Sequence, residues 1–239
     1  MNLSFGVAQV ILGIGLLAAS LTYAPYSWAL VWPGTAVLII GGAYLGPGPR
    51  IFGKDTDTGQ LHPLRRALLL PYLGVAWLLW QLKSRLAGEA PHDEVAPGVW
   101  VGRRPLNDAE MPPSIGVVID LTCEFPRASA TREAPRWIGL PTLDTAAPDA
   151  ARLRALVDEL EAVGEPLFFH CAMGHGRSAT AAGALLLRRG LAADVNAVES
   201  LMKRRRASVH LRRGQRALLQ HLQATDDRGD RVPLAGNGT

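Results

Sequence analysis

The chain has 239 residues and a formal charge of +4, from 25 Lys and Arg against 21 Asp and Glu. That charge is spread over loops and helices, which excludes the concentrated basic surface of a nucleic-acid binder, and the two cysteines, Cys123 and Cys171, exclude a disulfide framework. Composition shifts about a third of the way along. Residues 1–86 are dominated by Leu, Ala, Gly, Val, Trp and Tyr, residues 87–224 have ordinary globular composition and enough length for a core of their own, and residues 225–239, rich in Asp, Gly and Pro, read as a disordered tail.

Residues 5–22 and 28–45 carry no charge, and each run is long enough to cross a bilayer as a helix. Tyr23, Pro25, Tyr26 and Trp28 between them suit an interfacial turn with aromatic anchors. The first run has no basic start and is followed closely by the second, which favours a helical hairpin over a cleaved leader. The next loop carries Arg50, Lys54, Arg65 and Arg66 against Asp55 and Asp57, which places it and Met1 in the cytoplasm. A third apolar run, residues 67–82, is shorter, contains Pro71 and lies between Arg66 and Lys83. If it crosses, the rest of the chain lies outside the cytoplasm; if it lies in the interface, the rest stays inside. Its basic flanks favour the cytoplasmic side and a multi-pass protein of the cell membrane.

Beyond it the pattern changes to α/β. Residues 99–102, 116–122, 137–141 and 167–170 read as strands, each an apolar run bounded by Gly, Pro or polar residues. Pro148 opens a helix with Leu153, Leu156, Val157, Leu160 and Val163 along one face and Gly164 at its end. Helices follow over residues 178–189, stopped by Gly190, over 194–206, with Asp194 as N-cap, and over 215–222. The expected fold is a central sheet flanked by helices, preceded by an all-α membrane region.

One stretch concentrates the chemistry: His170-Cys171-Ala172-Met173-Gly174-His175-Gly176-Arg177-Ser178, between the fourth strand and a helix. Glycines at a strand-to-helix turn let successive backbone N–H groups converge on an anion, and the helix start adds its positive end. The same field favours a thiolate at Cys171, which is the nucleophilic form. Arg177 offers a planar fork to two oxygens of a bound phosphoryl group, for which lysine would be a poor substitute. The simpler reading of the pair is a structural cysteine with a surface arginine. Ser178 reads equally as a helix N-cap, and Asp120 and Cys123 read as structural. No His and Cys spacing suggests a metal site, and no cofactor is implied.

The stretch resembles the H-C-x5-R-S/T signature of the cysteine-dependent protein tyrosine phosphatases and their dual-specificity relatives. Resemblance extends from about Pro97 to Leu222, through Val101-Gly102-Arg103-Arg104-Pro105, Glu124, Pro141-Thr142-Leu143-Asp144 and Val209-His210-Leu211-Arg212-Arg213-Gly214-Gln215. These look like the branch containing the phosphatidylglycerophosphate phosphatases and their bacterial relatives. The resemblance implies phosphate-monoester hydrolysis through a phosphocysteine, with Cys171 as nucleophile and Arg177 and the backbone of residues 172–176 as the phosphate cradle. It further implies Ser178 as the hydroxyl that helps the thiolate leave, and His170 and Arg212 as supports of the loop. The acid would be an aspartate some thirty positions upstream. Asp144 and Asp149 are both candidates; Asp144 follows a strand directly, whereas a helix-dipole role suffices for Asp149.

Ala172 and His175 stand where phosphoinositide-directed relatives carry lysines, which disfavours a polyphosphorylated inositol headgroup. The membrane region points to a lipid phosphomonoester as substrate, since tethering raises the effective concentration of a membrane substrate. Alternatives are the same chemistry on phosphotyrosine or phosphoserine proteins, or an inactive phosphate-binding module. A rhodanese-like sulfur carrier also uses a cysteine loop. The need for a reduced thiol again favours a cytoplasm-facing catalytic unit.

Overall fold

The computed structural model describes residues 3–22, 26–86 and 88–229. Five strands form one sheet in the order β1-β2-β5-β3-β4. They are β1 (His92–Ala96), β2 (Val99–Arg103), β3 (Val117–Thr122), β4 (Arg136–Thr142) and β5 (Leu167–Cys171). Only the β1–β2 pair is antiparallel; β2, β5, β3 and β4 run parallel. Leu167-Phe168-Phe169, apolar on both faces, occupies the middle of the sheet, as a strand covered on both sides must. Its register, Arg103 beside Cys171 and Ile119 beside Phe169, brings the carboxyl ends of the parallel strands to one rim. In open α/β sheets that rim holds the ligand site.

Because side chains alternate across a strand, β3 presents Val117, Ile119 and Leu121 to one face and Val118, Asp120 and Thr122 to the other. The first set joins Leu167, Phe169 and Cys171 in the main core beneath four helices. These are α5 (Ala150–Glu161), α6 (Arg177–Arg188), α7 (Val195–Lys203) and α8 (Arg213–Gly229). The expected boundary signals are present: Asp194 caps α7 by accepting from the Ala197 N–H, and Gly190 beyond α6 has φ +66°. Two parts of the sequence reading need correction. Strand β1 was not expected, and residues 225–229 are helical, not the start of a tail; Asp226 there pairs with Arg154 at 3.3 Å and Arg188 at 3.2 Å. Residues 230–239 lie outside the described part, as do Tyr23 and Pro25 of the interfacial turn.

The first third of the chain forms a helical hairpin, α1 (Leu3–Thr22) and α2 (Val31–Leu45), joined through a 3-10 turn at Tyr26–Leu30. Among the described residues, Leu3–Thr22 and Tyr26–Leu45 are the helices long and apolar enough to cross a membrane. Their backbones approach closely at small residues: a Cβ on Gly13 would stand 2.7 Å from the Leu38 nitrogen, and one on Gly41 2.7 Å from that of Val10. The open end of the hairpin meets the α/β unit. Phe5 packs edge-on against Tyr44 at 4.8 Å, and the Tyr44 hydroxyl donates to the Asp144 carbonyl at 3.1 Å.

The third apolar run is two helices, α3 (Pro63–Leu68) and α4 (Leu70–Leu86), broken at Leu69. Pro71 falls in the first turn of α4, where its missing N–H costs nothing. Both ends of α4 rest on the α/β unit. Leu69 and Leu73 share a buried cluster with Cys123 and Leu143, while Trp80 packs on Phe125 at 5.4 Å.

Candidate active site

Residues 172–176 turn from β5 into α6, and the contacts around them fix which way the backbone faces. Every carbonyl of the turn is engaged from outside. Arg104 N–H and the Trp80 indole N–H donate to Ala172 O, at 3.3 and 3.0 Å. Arg206 donates to Met173 O and Gly174 O at 3.1 and 3.2 Å, and His210 N–H to His175 O at 3.0 Å. Thr180 closes the turn by donating to Gly176 O from both its N–H and its hydroxyl, each at 2.8 Å. With the carbonyls held outward, the N–H groups are free to point in, and the arrangement can hold a tetrahedral anion over Cys171. Gly174 is required by this path: its φ is +80°, and a Cβ would lie 2.4 Å from the Gly102 carbonyl carbon.

Cys171 is nearly buried, with its sulfur at 3.2 Å from the Gly174 N–H and 3.4 Å from the Ser178 hydroxyl. Arg177, the first residue of α6, is 2% exposed. Glu124, just past β3, accepts from both its terminal nitrogens, at 2.8 and 2.7 Å, and Thr142 O accepts a further proton from Nη1 at 2.9 Å. That leaves Nε–H and the second Nη2 proton for an anion. Burial pushes the Glu124 carboxyl up, but the Arg177 guanidinium outweighs it and holds the carboxyl below its ordinary range.

Asp144 follows β4 on a tight turn whose next residue, Thr145, has φ +62°. Its side chain is 65% exposed, and Oδ1 lies 3.3 Å from Arg177 Nη2. Asp149 does not join this group; it caps α5, accepting from the Arg152 N–H at 3.0 Å.

On the opposite face of the sheet, His170 is fully buried with Nδ1 3.9 Å from Asp120. Burial lowers its pKa to about 4, despite the opposing pull of Asp120, so the imidazole is neutral at neutral pH. Asp120 in turn holds Lys54, from the loop after α2, at 2.8 Å; Lys54 also donates to Thr122 O at 2.8 Å and to its hydroxyl at 2.9 Å. Burial pushes the Asp120 carboxyl up, yet Lys54 leads the effects that bring it down to about 2.

His175 meets Glu89 at 2.7 Å. Arg212, anticipated behind the loop, is exposed, and its part is its backbone N–H, donated to the Gln215 side chain at 2.9 Å. The position behind the loop belongs to Arg206, which also pairs with Asp93 at 2.9 Å, and to Gln215, which donates to Ala146 O at 3.0 Å beside Gly176. Nothing local in the sequence marks Arg206, whose partner Gly174 lies 32 positions away, and Glu124 was marked by the resemblance alone, without its pairing to Arg177 53 positions on. Among the described residues, no three His, Cys, Asp or Glu side chains gather as a metal site.

A mostly parallel sheet whose central strand ends in a Cys-x5-Arg loop at a helix start defines a dual-specificity-type phosphatase, a phosphoric monoester hydrolase. Residues 107–225 match the family described as PTP-SAK, Swiss Army Knife protein, DSP-PTPase phosphatase domain, and this part of the chain belongs to that family. Solved structures share the fold. PTPMT1 in complex with PI(5)P is 20% identical, with a TM-score of 0.51, covering 59% of this chain and 99% of that one. The human tyrosine phosphatase-like serine/threonine/tyrosine-interacting protein is 16% identical, TM-score 0.51, covering 58% and 99%. Tk-PTP in its active form is 22% identical, TM-score 0.50, covering 56% and 97%. No curated protein matches the sequence.

Proposed function

We propose that the protein is a membrane-anchored cysteine phosphatase that hydrolyses a lipid phosphomonoester. The observation that carries this reading is the contact of the apolar helices with the phosphate loop itself: the Trp80 indole of α4 donates to Ala172 O, one residue from Cys171. A soluble-substrate enzyme needs no such attachment. The neighbour solved with PI(5)P shares this fold.

In this reading Cys171 Sγ attacks phosphorus, forming an S–P bond as the P–O bond to the lipid breaks. Arg177 and the inward N–H groups of residues 172–176 hold the phosphoryl oxygens as charge shifts. Asp144 donates a proton to the departing oxygen. It then takes one from the water that cleaves the S–P bond, while Ser178 supports the returning thiolate. Glu124, which already holds both terminal nitrogens of Arg177, keeps the fork in place through both steps.

The reading extends to the side of the membrane. Hairpin α1–α2 has both its free ends at the α/β unit, and α4, resting on that unit at both ends, lies along the interface and does not cross. Two crossings leave the catalytic unit on the same side as the Arg50 and Arg65 loop, the cytoplasmic side.

The test is phosphate release by detergent-solubilised protein offered phosphatidylglycerophosphate and a phosphotyrosine peptide side by side, with Cys171→Ser as control. Preferential lipid turnover, lost in the variant, is the expected result. Preferential peptide turnover would replace the lipid reading with a protein phosphatase, and turnover of neither by folded protein would leave a phosphate-binding module.

A further inference from the structure

A cleft of about 510 Å3 runs between α1, α2 and α4 and ends at the phosphate loop, a volume in the range of small-molecule sites. Its walls are Leu12, Val37, Val75, Ala76 and Leu79, and its inner end is formed by Ala172, Met173 and Asp144. Polar groups are confined to Gln9, Lys83, Tyr72, the Trp80 indole and the carboxylates beside Arg177. Leu12, Val75 and Leu79 are each about half exposed. The cleft is therefore open sideways along helices whose outer faces, at Ile11, Ile14, Trp77 and Leu78, are also apolar and exposed.

We infer that this cleft receives an acyl chain of the substrate, which enters sideways from the bilayer while its phosphate reaches Cys171. The inference rests on the lipid reading above and adds that the helices form part of the substrate site. Two observations select this occupant over an apolar peptide. Two of the walls, at Leu12 and Val37, belong to helices long and apolar enough to cross a bilayer, and the third is the apolar face of α4 packed beside them, so in the lipid reading the lateral opening faces hydrocarbon. In addition, the apolar trough ends at Ala172 and Met173 of the phosphate loop and at Asp144, and Lys83 in its lining supplies a cation for a negatively charged headgroup. A tail in the trough and a phosphate in the loop are the two ends of one molecule.

The experiment compares kcat/KM for one phosphatidylglycerophosphate headgroup carrying 18-carbon or 4-carbon chains, presented in mixed detergent micelles. Wild-type protein is expected to prefer the long chains by about tenfold or more, since each buried methylene contributes a fraction of that discrimination. Ala76→Trp fills the trough and should reduce the long-to-short ratio about tenfold, whereas Leu78→Trp on the outer face should leave the ratio unchanged. A measurement that needs no variant is labelling of wild-type protein by an 18-carbon analogue with a diazirine late in its chain. Adducts should concentrate on Leu12, Val37, Val75 and Leu79. A ratio unaffected by Ala76→Trp in folded protein, or adducts spread evenly over the outer faces, overturns the cleft while lipid turnover still stands. Turnover of a phosphotyrosine peptide and of neither lipid overturns the lipid reading itself, and the inference with it.

Discussion

Arg177 is useful only if its fork is held, and Glu124 holds it by two hydrogen bonds in a buried site. Glu124→Gln keeps the shape and one acceptor but removes the charge. Hydrogen bonds to charged groups contribute about 1.5–3 kcal/mol, so kcat/KM on a water-soluble aryl phosphate should fall roughly ten- to a hundredfold. Gly174→Ala is predicted to be worse, because φ +80° and a contact of 2.4 Å with backbone cannot be relieved by a side-chain shift; activity should fall by more than about a hundredfold, with loss of stability, read by aryl phosphate turnover and thermal unfolding. His170 adds a pH signature. Between its folded pKa of about 4 and its ordinary value of 6.5, the unfolded chain binds a proton that the folded chain refuses. Stability therefore rises with pH through that window and is lost as pH falls from 6.5 toward 4. Asp120, held at about 2 against an ordinary 3.8, contributes fully above the higher value and loses its contribution only as pH falls toward the lower. The wild-type melting temperature should drop between pH 7 and pH 5, and His170→Asn should flatten that slope. Cys171, Arg177 and Ser178 were legible because the loop encodes them in nine consecutive residues. Arg206 was not, since an arginine in a run of Lys203-Arg204-Arg205-Arg206 looks like solvated charge until the fold buries it behind the loop.

At the scale of elements, the difference between reading and structure lies where tertiary contact overrides local pattern. Strand β1, His92-Asp93-Glu94-Val95-Ala96, has no apolar alternation; it exists because it pairs with β2 and because Asp93 meets Arg206. Helix α4 shows the converse case. Its apolar run was visible, but composition alone did not show what it packs against, Trp80 on Ala172 and Leu73 in the Cys123 cluster, two contacts that sequence cannot display. Trp80 makes two separable contributions. Trp80→Phe removes the indole N–H but keeps an aromatic ring against Phe125 and Arg104, so it should cost about 1 kcal/mol and lower activity severalfold. Trp80→Ala also opens a void between α4 and the loop and should cost about 3–5 kcal/mol. Paired melting and aryl phosphate assays would separate loop positioning from packing: equal loss of activity in both variants would assign the whole effect to the hydrogen bond.

Taken as a whole, the molecule is not a catalytic unit with a detachable tether, and the Lys54–Asp120 pair is the reason. Asp120 lies in the middle strand region with no exposure, and the described cation that meets it at hydrogen-bond distance comes from the loop after the hairpin. A buried carboxylate left without its cation costs several kcal/mol, and removing one partner of such a pair is typically destabilising by about 3–5 kcal/mol. Deleting residues 1–86 would strip Lys54 from Asp120 and uncover Cys123, Leu143 and Ala146, which share a cluster with Ala36, Ile40 and Leu73. The truncated chain should therefore fold poorly, and Lys54→Met in the full chain should reproduce the electrostatic part of that loss with the helices in place. Asp120→Asn in the Lys54→Met background removes the stranded charge while keeping the hydrogen bonds to Thr122, so the double variant should recover most of what the single variant lost. Thermal unfolding of the four proteins in one detergent closes the cycle. If the two losses simply add, Lys54 is a packing residue and the two regions are coupled by their apolar cluster alone; recovery in the double variant means that a charge supplied by the N-terminal helical region is built into the face of the sheet that carries His170, next to Cys171.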